Sequence, residues 1–113
     1  MKYERKIGNL LRNLGVNNAY KGFRYATYGA CRAIHDPELL TYISKGLYVE
    51  IAIHYRTTVE CVERDIRTIV KTIWEHGDRT LLNAVFGITL NQKPRNGAFI
   101  DALSHYVVEH YYD

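Results

Sequence analysis

Between Thr57 and Gly77 the chain carries a start signal, a stop signal and one apolar stripe, which together specify a single helix of about five turns. The run Thr57-Thr58-Val59-Glu60 fits a capping box. Thr57 acts as N-cap and Glu60 reaches back to its N–H, while Gly77 supplies the stop. Val59, Val62, Ile66, Ile69, Val70 and Ile73 fall on one face, and Glu60, Glu63, Arg64, Arg67 and Lys71 on the other. A helix this long with a single apolar stripe must lie against other helices. Just before it, the residues from Tyr48 to Tyr55 read as a short helix with Ile51 and Ala52 inward, joined to it by Arg56-Thr57.

The remaining pattern is also helical. Ile7, Leu10, Leu11 and Leu14 share the face of a first helix that stops at Gly15, a residue free to adopt the left-handed cap. "VNNAYKGF" reads as a connector, and a second helix is expected from Tyr25 to Ile34. In "HDPELL", Asp36 is the expected N-cap, with Pro37 at the first helical position, where its missing N–H costs nothing. Pro94 and Gly97 break the pattern near the end. Phe99, Leu103, Val107 and Tyr111 then recur every fourth residue on a final helix. No strand-like alternation or internal repeat occurs. The 113 residues, 47% of them hydrophobic, suit one core. The expectation is an all-α, single compact domain of about six helices. It contains a helix-turn-helix formed by Tyr48–Tyr55 and Thr58–His76, with Ile51, Ala52, Val62, Ile66, Trp74, Phe86, Phe99 and Leu103 in its core.

Several function classes recede on composition. There is no run of eighteen apolar residues, and "MKYERKIGNLLRNLG" is charged from its start, so neither a membrane span nor a secretory signal is expected and the location should be cytoplasmic. Cys31 and Cys61 lack zinc-like spacing and read as free thiols, with no metal and no cofactor implied. None of the five histidines pairs with a partner at catalytic spacing, and there is no phosphate-cradling glycine loop, so no enzyme is expected. The net charge of +3 is too mild to identify a partner. Its distribution says more, because residues 1–24 set six Lys and Arg against Glu4 alone, whereas residues 101–113 carry acids and no Lys or Arg.

Ala52 lies ten positions before Val62, so the shorter helix can approach the longer one closely at their crossing. That pattern fits a DNA-reading pair and an ordinary helical hairpin alike. In the hairpin, Glu60/Arg64 and Glu63/Arg67 are i,i+4 pairs that steady a solvated helix by a few tenths of a kcal/mol. In the DNA reading, Arg64 and Arg67 enter the major groove and donate to guanine O6 and N7, while Glu63 orients an arginine or accepts from cytosine N4. The alternative to specific DNA binding is a helical protein–protein interaction or dimerisation module. It is favoured by ten tyrosines, with "EHYYD" at the C-terminus as its best patch.

From about Leu11 to His110 the sequence resembles the C-terminal DNA-binding domain of the sporulation master regulator, stage-zero sporulation protein A, of endospore-forming bacteria. The residues that carry the resemblance include "KGF" at 21–23, "LY" at 47–48, "IA" at 51–52, "TT" at 57–58, "VER" at 62–64, "IR" at 66–67, Trp74, "FG" at 86–87 and "KP" at 93–94. They occur in order and at nearly constant spacing. The resemblance implies an all-helical effector domain that regulates transcription, working at the nucleoid. Its recognition helix would read a short promoter box with Glu63, Arg64 and Arg67. Thr57, Thr58, Lys71 and Lys93 would be backbone contacts. It also implies a contact with RNA polymerase sigma factor after the recognition helix, of which Phe86 is the candidate, although "GDRTLLNAV" departs from the family until Phe86 and Gly87. A dimer or tandem copies on DNA are expected, since one short helix reads few base pairs. The receiver domain that normally precedes such an effector has no room in these residues. The chain reads either as an excised effector domain or as a short stand-alone homologue.

Overall fold

The computed structural model describes residues 2–110. Among them it contains six α-helices and no strand: α1 (Glu4–Leu14), α2 (Lys21–His35), α3 (Leu47–Tyr55), α4 (Val59–His76), α5 (Arg79–Phe86) and α6 (Asn96–His110), with one 3-10 turn at Pro37–Leu40. The expected all-helical fold is the observed one. Helix α2 is the hub, with α1, α3, α4 and α6 packed around it. Its Ala26, Ala30 and Ala33 are buried, so backbones approach where larger side chains would hold them apart. Ile7, Leu11, Leu14, Ile51, Val62, Ile66, Ile69, Ile73, Phe99, Ile100, Leu103 and Val107 fill the core with 0% exposure.

Helix α1 ends as its sequence suggests. Gly15 has φ 124°, and its N–H donates to the carbonyls of Leu11 and Arg12. Gly77 ends α4 for a different reason. Its φ of −89° is open to any residue, but a Cβ there would stand 2.2 Å from the Leu14 carbonyl oxygen. The stop is a close approach, sealed by the Asp78 N–H donating to Leu14 O at 3.1 Å.

Four expectations are corrected. The N-cap of α4 is Thr58 rather than Thr57: its hydroxyl accepts from the Cys61 N–H at 3.1 Å, which moves Glu60 out of the capping-box position. Helix α2 starts at Lys21, not Tyr25, because Gly22 lies inside the helix, where its bare Cα admits the backbone of α4. Asp36 provides no side-chain cap, and "PELL" forms a 3-10 turn closed by Leu39 N–H to Asp36 O and Thr41 N–H to Glu38 O. Trp74 and Phe86 are half-buried against the core rather than within it, and the Arg79 guanidinium covers Trp74 at 3.3 Å from the ring centroid. Tyr111 and the end of "EHYYD" lie outside the described residues.

A Cβ on Gly22 would sit 2.1 Å from the Asp65 carbonyl oxygen and 3.0 Å from the Ile69 side chain. Backbone cannot swing aside as a side chain can. Gly22→Ala is expected to destabilise the fold by roughly 1–3 kcal/mol through overpacking, read as a lower urea midpoint. An unchanged midpoint would mean that the two helices are not in contact there.

Candidate nucleic-acid interface

The entry to α4 is a three-residue turn. Arg56 takes the left-handed conformation, with φ 55° and ψ 50°, the one positive φ of a non-glycine residue among the described residues. Such a residue costs on the order of 1 kcal/mol relative to ordinary backbone. The surrounding bonds hold it: Thr57 N–H donates to Ala52 O at 2.9 Å, and the Thr58 hydroxyl caps the next helix. The direction in which α4 leaves α3 is thereby fixed. Arg56 itself is exposed at the corner.

Along α4 the apolar stripe faces inward and the charges face out. The side chains of Arg64, Arg67 and Lys71 are 59%, 53% and 60% exposed, and each is held by an acid. Arg67 is ion-paired with Glu63 across one turn, the expected i,i+4 pair. Lys71 Nζ lies 3.2 Å from Glu75. Arg64 does not turn to Glu60 but to its neighbour Asp65, Nε to Oδ1 at 3.3 Å. Asp65 is mostly buried and its Oδ2 has no hydrogen-bond partner, so its charge is less screened by solvent than that of the exposed Glu60. Exposed pairs of this kind contribute at most about 1 kcal/mol. They orient the guanidinium groups without committing them.

The base of this face is clamped from outside the two helices. Asn96, at the start of α6, donates through Nδ2 to the Glu63 carbonyl at 3.0 Å and to the Tyr48 hydroxyl at 3.1 Å, joining α6, α4 and α3 at one point. Burial pushes the Tyr48 phenol above its usual value despite the opposing Asn96 contact, so it stays neutral at ordinary pH. Beside the clamp runs a groove of about 720 Å³ in which Lys93 and Arg95 join Glu63 and Arg67.

The structure therefore gathers Glu63, Arg67 and Lys93 into one groove and places Arg64 and Lys71 on the adjoining outer face of α4. Thr57 is half-buried in the turn, while Thr58 is exposed with its hydroxyl oxygen engaged as the cap. Phe86 is not part of the groove. It ends α5, which packs on α1 and α6. Sequence reasoning missed Arg95, Tyr48 and Asn96. In "KPRNG" the polar residues look like loop, and nothing local shows that Asn96 spans three helices.

The two thiols have opposite surroundings. Cys31 is 1% exposed, and burial, reinforced by Glu4, pushes its thiol up to about 11. Cys61, half-buried in the first turn of α4, is drawn below its usual value by hydrogen bonding to Thr58 and Thr57, with Arg64 contributing. Iodoacetamide at about pH 8 should alkylate Cys61 at least about tenfold faster than Cys31, since only thiolate reacts. Equal rates by mass spectrometry would contradict this environment.

A compact all-helical body that carries one long helix on a tight turn, with Arg64, Arg67 and Lys71 exposed on its outer face, falls in the class of helical DNA-binding, transcription-regulating domains. The family model described as "Sporulation initiation factor Spo0A C terminal" matches residues 7–107, and the chain belongs to that family. The family is one of DNA-binding regulators of sporulation, not of enzymes. No helix among the described residues is long and apolar enough to cross a membrane.

Proposed function

We propose that the chain is an effector domain that reads a short promoter box in double-stranded DNA through the outer face of α4. Arg64 and Arg67 donate to base edges, and Glu63 either fixes Arg67 or accepts from a cytosine amine. The observation that carries this reading is the pairing of Arg67 with Glu63 beside an exposed Arg64 on one face of the longest helix. Two guanidinium groups about one turn apart share one face of the helix, so both can reach base edges in the same groove. Thr57, Thr58, Lys71 and Lys93 meet phosphates, with Arg95 joining Lys93 at the groove edge. The Thr58 hydroxyl can cap α4 with its oxygen while donating its own hydrogen to a phosphate.

One such helix reads too few base pairs for useful discrimination, so two copies occupy a site, in tandem or head-to-head. A sigma-factor contact falls at Phe86, beside Ile88, which is 63% exposed. The place of action is the nucleoid of the cytoplasm.

Base contacts and phosphate contacts leave different signatures. Arg64→Ala and Arg67→Ala should each weaken binding to the family's box by about 1–3 kcal/mol and change binding to a scrambled duplex much less. Lys93→Ala should weaken both duplexes alike and lower the slope of log K against log salt by about one. Fluorescence anisotropy over a salt series reads both effects. Equal losses on both duplexes for the arginine variants would reduce α4 to a solvated helix and leave the interaction-module reading in its place.

A further inference from the structure

Away from the outer face of α4, helices α1 and α2 and the end of α3 enclose a depression of about 620 Å³. That volume lies within the usual range for small-molecule sites, roughly 300–1,000 Å³. Its floor is apolar and closed, formed by Gly8, Phe23 and Cys31, all buried. Thr27, also in the floor, already donates its hydroxyl to the Phe23 carbonyl at 2.8 Å. One wall is aromatic. Tyr28 and His54 stack with centroids 4.0 Å apart at 13°, and Tyr55 stands edge-on to both, at 5.8 and 4.7 Å.

The rim carries Arg5, Arg12 and Arg24 against one carboxylate, Glu4. Three arginines elsewhere are paired with an acid, Arg32 with Glu50 at 3.0 Å and Arg64 and Arg67 on α4, and Arg79 covers the Trp74 ring. None of the three rim guanidinium groups has an ion-pair partner among the described residues. Arg12 instead donates to Asn9 at 3.0 Å and lies over the Phe23 ring at 5.1 Å. A guanidinium triad beside an aromatic wall and a buried floor suits a ligand that is planar at one end and multiply anionic at the other.

We infer that this depression binds a nucleoside phosphate, with its base against the Tyr28–His54 wall and its phosphates between Arg5, Arg12 and Arg24. The inference is independent of the DNA reading, since no residue of α4 lines the site. It does place the ligand against His54 and Tyr55, the last residues before the Arg56 turn.

The test is calorimetric titration of the full chain with ATP, adenosine and inorganic triphosphate, with amide NMR shifts as the map. ATP should bind saturably and move the amides of Tyr28, Cys31 and His54. Adenosine and triphosphate should each bind about tenfold more weakly or worse, as each lacks one half of the recognition. Arg24→Gln should weaken ATP by about tenfold or more, and Arg5→Gln, on a different helix, should do the same if the first variant fails to fold. Arg64→Ala should leave ATP binding intact, which separates this site from the DNA-reading face. Absent saturable ATP binding, adenosine or triphosphate binding as tightly as ATP, or loss on Arg64→Ala without loss on Arg24→Gln would each overturn the inference.

Discussion

Helix α4 presents an ordered outer face because backbone meets backbone at two places, at Asp65 within the helix and at Gly77 where it ends. Gly22 of α2 lies under the Asp65 carbonyl, and Gly77 lies under the Leu14 carbonyl at the end of α1. Neither position has space for a Cβ. Side-chain packing alone would allow α4 to roll by the few degrees that a methyl group can absorb, but a carbonyl oxygen against a bare Cα allows much less. With its axis so fixed, the side of α4 away from Ile66, Ile69 and Ile73 faces outward by geometry, and the charges of Arg64, Arg67 and Lys71 follow.

Local devices then refine that face. The left-handed Arg56 turn and the Thr58 cap set where α4 begins, and Asn96 holds the Glu63 carbonyl and the Tyr48 hydroxyl together on the far side. The mostly buried Asp65 carboxylate takes Arg64 as its partner, Nε to Oδ1 at 3.3 Å. Pairing each cation with an acid costs little to undo, because exposed ion pairs are weak. A groove of base edges and phosphates can therefore replace them.

Much of this was legible in the sequence, and the failures share a cause. The helical periodicity of α1, α4 and α6 announced their buried faces, and Glu63/Arg67 followed from i,i+4 spacing. What misled was chemistry with two local meanings. Thr57 and Thr58 are equally good caps, and only the turn geometry selects the second. Gly22 resembles a helix breaker until α4 is seen against it, and "DRTLLNAVF" shows too short a period to mark α5, although Asp78 caps it by accepting from the Leu81 N–H at 2.9 Å. Arg64 to Asp65 and Asn96 to Glu63 depend on tertiary placement, so no spacing rule could have found them.

On the proposed function, duplex DNA meets α4 and the segment that carries Lys93 and Arg95. Hydrogen–deuterium exchange of the full chain, with and without a duplex bearing the family's box, tests it most directly. New protection should concentrate at residues 58–71 and 93–96, with α5 and the outer side of α6 unchanged. Protection confined to α5 and α6, with the exchange of α4 unaltered by saturating duplex, would contradict it.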